Sequence, residues 1–233
     1  MKPVSKGNAP KLYSKYADAK PDLIAQIGQQ CSYCEAPGSP QTLHVEHIYP
    51  KDPHRERETM WDNFLIACGT CNSYKNIHLG SRRRRGLEKR YLWPHLDNTF
   101  SAFIYLQNGR VEVNPALSDA NQKIAKAIQE MAGILRSPAK AMKYATLGIA
   151  YDGVDKRKES WEIVKSQLDQ YLGDPTPAGV TAIAQLAPKL GYFSIWMKAF
   201  ENRPEVRQAL ITAFKADSQC FDANASPIRK GRV

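Results

Sequence analysis

Two identical cysteine pairs, Cys31-x2-Cys34 and Cys68-x2-Cys71, constrain this chain more than any other feature. Each C-x2-C turn presents two thiolates to one edge of a tetrahedron, so two such turns close a four-sulfur zinc site. The segment between them, residues 35–67, is longer than the roughly 15–20 residues that separate the knuckles of a zinc ribbon. Something is therefore inserted there, and "HVEHIYPK" at residues 44–51 lies within it. Its two histidines and one glutamate read as a zinc-ligand pair, a buried polar cluster, or a catalytic base beside a metal-binding carboxylate. The series Cys31-x2-Cys34-x9-His44-x2-His47 misses the spacing of a two-Cys, two-His finger, and four cysteines already complete a tetrahedron. Two disulfides are the alternative, but "MKPVSKGNAPKLYSKYADAK" carries no apolar secretion block and Cys220 is left over. Structural zinc is the expectation, with on the order of 10 kcal/mol of folding free energy for such a module.

The rest of the chain organises around this frame. A loose, Lys-rich start leads to Pro21, which opens a short helix with Leu23, Ile24 and Ile27 on one side. Residues 41–48 read as a strand ended by Pro50, residues 51–62 as a polar loop, and residues 63–67 as a second, buried strand. Cys71 and Asn72 then sit at the entry of a helix ending near Gly80. The order is knuckle, strand, loop, strand, knuckle, helix. Beyond it, "FSAFIYLQNGRVEVN" reads as a β-hairpin with Asn108-Gly109 in a type I′ turn. From residue 118 the spacing is helical, with stripes Ile124/Ile128/Met131/Leu135, Trp161/Val164/Leu168/Leu172, Val180/Ile183/Ala187/Leu190 and Val206/Leu210/Phe214 that read as core. The tail "DANASPIRKGRV" reads as frayed.

Residues 31–76 resemble the HNH endonuclease superfamily. The paired knuckles, Glu46-His47, the asparagine of "WDNF" and the "CNSYK" helix entry carry the likeness. The forms "EHIYPK", "WDNF" and "CGTCNSYK" are most similar to small bacterial phage-defence nucleases such as the PtuB component of Septu-type systems. The resemblance implies an α+β chain: a small zinc-stapled ββα-metal core, then a β-hairpin and a mainly α-helical region. We divide it at residues 1–95 and 96–233. By the same resemblance His47 is the general base, Asn63 braces the loop around it, and Glu46 with Asn72 holds a catalytic divalent ion. A carboxylate and an amide oxygen suit Mg²⁺ or Mn²⁺. The implied products carry 5′-phosphate and 3′-hydroxyl ends. His44 reads either as a strand residue supporting the site or as a direct participant.

The formal net charge of +10 favours a phosphate polymer as partner. "SRRRRGLEKR" at residues 81–90 is its densest part; alone such a run is as well a solvated face, but it follows the helix of the proposed site directly. Lys51, Lys75, Arg82, Arg83, Arg84 and Arg85 are the expected nucleic-acid contacts, with DNA as the first substrate and RNA left open. Tyr91 and Trp93 either stack on bases or anchor the hairpin that follows. No segment approaches the roughly 18 consecutive apolar residues of a membrane span, so a cytoplasmic protein is expected. The Septu likeness adds an ATPase partner resembling PtuA, docked on the helical region. The rival expectation is a zinc-stapled binding or scaffold module without catalysis.

Overall fold

The computed structural model describes residues 1–80, 85–134 and 153–233. Strand β1 (Leu43–His47) pairs antiparallel with β2 (Phe64–Cys68), in a register that sets His47 opposite Phe64 and Leu43 opposite Cys68. Phe64, Leu65, Ile66 and Ala67 are all buried, which explains a strand with no alternation in its sequence. Helix α2 (Gly69–Leu79) starts directly from β2, with Cys68 as its N-cap. The strands and this helix form the ββα unit, and helix α1 (Lys20–Ile27) delivers the chain to the first knuckle.

The short helix α3 (Leu87–Arg90) precedes the hairpin of β3 (Phe103–Tyr105) and β4 (Val111–Val113). Its turn differs from the expected type I′, which requires a positive φ at both central residues. Asn108 is absent from the left-handed residues, whereas Gly109 has φ +81°. Leu106 O accepts from Gly109 N, and Leu106 N donates to Arg110 O at 2.9 Å, closing a three-residue loop. Glycine is required there for space as well, since a Cβ would lie 2.1 Å from Val154 O. The hairpin tip rests on helix α5 (Gly153–Gly173), whose buried Arg157 donates from Nε to Gly109 O at 2.7 Å.

Helices α4 (Asp119–Met131), α6 (Pro177–Leu190), α7 (Phe193–Ala199) and α8 (Pro204–Ala213) complete the described elements. The apolar stripes face a core that runs through both halves of the chain, including Ile128, Met131, Trp161, Val164, Ile183, Ala187, Val206, Leu210 and Phe214. Leu135 lies outside the described residues. Leu172 departs from its stripe: it is 44% exposed, and its neighbour Tyr171 is buried, donating to Glu205 Oε1 at 2.8 Å.

Both chain ends are docked, unlike the loose start and frayed tail expected. Lys2 Nζ caps α1 through Ile27 O and α8 through Phe214 O, each at 2.7 Å. At the other end Asn98 Nδ2 donates to Cys220 O and Ile228 O, and Arg232 pairs with Asp97 at 2.7 Å. Backbone groups that sequence alone leaves open to water find partners in Asp97 and Asn98. No helix among the described residues is long and apolar enough to cross a membrane.

Candidate active site

The zinc frame comes first. The four sulfurs of Cys31, Cys34, Cys68 and Cys71 lie within 4.8 Å of one another, and Cys34 Sγ is 3.8 Å from Cys68 Sγ. Zn–S bonds of about 2.3 Å place tetrahedral sulfurs about 3.8 Å apart, whereas a disulfide needs about 2.05 Å. All five cysteines are free thiols, so the disulfide alternative is not what this fold builds. Hydrogen bonds inside the cluster, led by that from Cys31, drive the Cys68 thiol down, while burial pushes the Cys31 thiol up. The donor set and spacing fit zinc. Cys220 is different: it lies in the C-terminal core, where burial pushes its thiol up to about 12.

The four sulfurs gather at the Leu43–Cys68 end of the β1–β2 pair, and His47 stands at the opposite end, across from Phe64. Its imidazole is wedged between rings, edge-on to Phe64 at 5.3 Å and to Tyr16 at 4.9 Å. His47 Nε2 lies 2.9 Å from Glu58 O. A carbonyl only accepts, so the proton sits on Nε2 and Nδ1 keeps its lone pair. Nδ1 has no protein hydrogen-bond partner among the described residues. Burial pushes the imidazole below its ordinary pKa, opposed by the Glu58 carbonyl and Glu46, so the basic form is held.

Asn63 keeps Glu58 in place. It is 1% exposed; its Oδ1 accepts from Tyr49 N at 2.7 Å, and its Nδ2 donates to Tyr49 O and Arg57 O. One amide thus ties both ends of the loop that presents the carbonyl to His47. His47 and Asn72 open on one cleft of about 390 Å³, shared with Tyr16, Val45, Lys51 and Asn76. Asn76 Nδ2 lies 3.5 Å from Asn72 Oδ1.

Glu46 is placed differently. It is 1% exposed, with Oε2 accepting from Tyr33 OH at 2.7 Å and Oε1 ion-paired to Lys75 Nζ at 2.5 Å. Lys75 also donates to His47 O. Adjacent residues on a strand point to opposite faces, so His47 meets the cleft and Glu46 meets α2. In this arrangement Glu46 and Asn72 do not fit a shared, cleft-facing metal site, because an ammonium holds the carboxylate. Lys75 departs from the expected phosphate contact for the same reason: at 1% exposure it is a buried counter-ion.

Other expected residues sort by position. Lys51 lines the cleft, with its Nζ 4.9 Å from the centre of the Tyr16 ring. Arg85 is exposed, and Arg82, Arg83 and Arg84 lie outside the described residues. His44 is exposed beside Gly69 and does not line the cleft. Tyr91 and Trp93 are buried, and Trp93 Nε1 donates to Leu87 O, so they anchor the fold and offer no stacking face. Sequence reasoning missed the N-terminal arm. Tyr13 stacks on Trp61, and Lys6 donates to Trp61 O, Asp62 O and Phe64 O, which presses the arm against the asparagine-bearing loop. The faint signal was Tyr13-x2-Tyr16 among lysines, too sparse to separate from a solvated segment.

Paired strands, a following helix, a four-sulfur frame and a histidine at the cleft make up one ββα unit. Residues 31–77 match the family model for the HNH endonuclease, and that domain implies metal-dependent nuclease activity. No curated protein matches the chain.

Proposed function

We propose that this chain is an HNH endonuclease hydrolysing phosphodiester bonds of nucleic acid, DNA first among them, with His47 as general base. The observation that carries the proposal is the His47 imidazole, its Nε2 committed to Glu58 O and its Nδ1 unpartnered, on a cleft shared with Lys51 and Asn72. Nδ1 takes a proton from water as the water oxygen bonds to phosphorus; the P–O3′ bond breaks, and the departing oxygen takes a proton from solvent. This leaves 5′-phosphate and 3′-hydroxyl ends. Such a base contributes about 10²- to 10⁴-fold in rate. The Lys51 ammonium offers a point charge to the phosphate. Asn72 offers the cleft an amide oxygen, and no step is assigned to a carboxylate-bound ion, since Glu46 is engaged by Lys75.

The test is cleavage of supercoiled plasmid, linear DNA and RNA by zinc-loaded protein in Mg²⁺, Mn²⁺ or EDTA, with His47→Ala alongside. Metal-dependent cuts lost in the variant support the proposal. A folded, zinc-loaded and inactive protein leaves two readings, a nuclease awaiting its partner or the binding-module rival. The likeness of "EHIYPK", "WDNF" and "CGTCNSYK" to Septu nucleases supports a further proposal, that the chain is an anti-phage effector regulated by a PtuA-like ATPase. Ile163 and Leu172 on α5, 43% and 44% exposed, offer apolar contacts for it. Co-purification of such an ATPase with wild type, and its loss with Ile163→Glu/Leu172→Glu, is the expected result.

A further inference from the structure

The cleft is completed by a residue outside the family-matched segment. Tyr16 opens the 3-10 turn Tyr16–Ala19 that leads into α1, and it lines the same cleft as His47, Lys51 and Asn72. Its ring meets the His47 imidazole at 4.9 Å with an interplanar angle of 72°. Lys51 Nζ sits 4.9 Å from the centre of the same ring. Phe64, the cross-strand partner of His47, supplies the other edge contact at 5.3 Å.

These contacts differ in what removing them would disturb. Phe64 is fully buried and belongs to the core, whereas Tyr16 is half-buried at the cleft edge. Two rings and one carbonyl fix three sides of the imidazole, and the edge-to-face geometry is the one aromatic quadrupoles favour. Without Tyr16, the imidazole loses its ring contact on the cleft side and is freer to swing off Glu58 O, and Lys51 loses the ring beneath its ammonium. The arm itself is anchored independently through Lys6 and Tyr13, so Tyr16 is brought to the cleft by a docked segment.

We propose that Tyr16 is a positioning residue for the phosphodiester reaction: it holds the His47 ring with Nδ1 available and steadies Lys51 as a phosphate-binding cation. The inference rests on the nuclease reading above. A displaced general base costs about 10- to 100-fold in kcat. Tyr16→Leu is expected to lose that much, with KM within about threefold, unchanged zinc content and an unchanged melting midpoint. Tyr16→Phe keeps the ring and is expected to restore wild-type cleavage within about twofold.

A second readout needs no activity. Long-range ¹H–¹⁵N correlation spectra of the full, zinc-loaded chain report the His47 tautomer, its signals being assigned by their loss in His47→Ala. The expected spectra show a single Nε2–H tautomer with ring-shifted protons in wild type and Tyr16→Phe, and mixed tautomers in Tyr16→Leu. Unchanged His47 signals in Tyr16→Leu overturn the positioning role, as does wild-type cleavage by that variant. If wild type cuts no substrate while the Tyr16→Leu spectrum changes as expected, the nuclease reading fails and the positioning contact stands.

Discussion

Replacing Lys75 with methionine tests the buried charge pair beneath strand β1. Lys75 and Glu46 are 1% and 0% exposed at their side chains and 2.5 Å apart. The substitution keeps most of the aliphatic volume but removes the cation that sits at Glu46 Oε1 and donates to His47 O. Among the described residues, Tyr33 OH then remains as the side-chain donor to the carboxylate. Breaking a buried pair from one side costs about 3–5 kcal/mol, because the surviving charge stays desolvated. For a chain of this size, about 2–4 °C per kcal/mol gives a fall in melting midpoint of about 6–20 °C. Urea unfolding of zinc-loaded protein, followed by tryptophan fluorescence, measures the loss directly. The double variant Glu46→Gln/Lys75→Met removes the stranded charge and is expected to recover about half of it or more. A Lys75→Met loss below about 1 kcal/mol, or a double variant no more stable than the single, refutes the reasoning.

Removing zinc with a strong chelator is expected to unfold residues 25–80, seen as new protease cleavage there together with loss of bound zinc by elemental analysis. Asn63→Ala frees three backbone groups of the 49–63 loop; a loss of about 1–3 kcal/mol and faster hydrogen exchange at Tyr49 N–H are expected. His95 links stability to acid. Burial, with Lys6 and Lys230 adding to it, pushes its pKa down to about 3, below the ordinary 6.5. The folded form therefore binds fewer protons than the unfolded one between those values, and stability falls as pH drops from 6.5 toward 3. His95→Phe is expected to flatten that part of the urea-midpoint profile.

The ββα unit was legible because each of its parts is local. The C-x2-C spacings, a proline after β1 and a polar loop before an apolar run each constrain only a few residues. The hairpin was legible as a hairpin, but its turn type was not, since Asn108-Gly109 is compatible with one or two left-handed residues, and of the two Gly109 alone has a positive φ. Glu46 shows a harder limit. Sequence places it beside His47, yet which face of the strand meets the cleft depends on α2, and Lys75 reaches back from that helix. Tyr16 was illegible for a related reason: its role depends on an arm whose docking partners, Trp61 and the carbonyls around it, lie some fifty residues away in sequence.

The docking of Lys2 has a kinetic consequence. Its ammonium joins the end of α1 to Phe214 O, a contact between residues 212 positions apart. Closing such a loop comes late, because chain entropy is surrendered before the contact rewards it. The zinc knuckles, whose loop is far shorter, form on a different clock. During folding the strands and the arm at Lys6 and Tyr13, whose partners lie within about sixty positions, are therefore expected to settle before the first residues meet the end of α8.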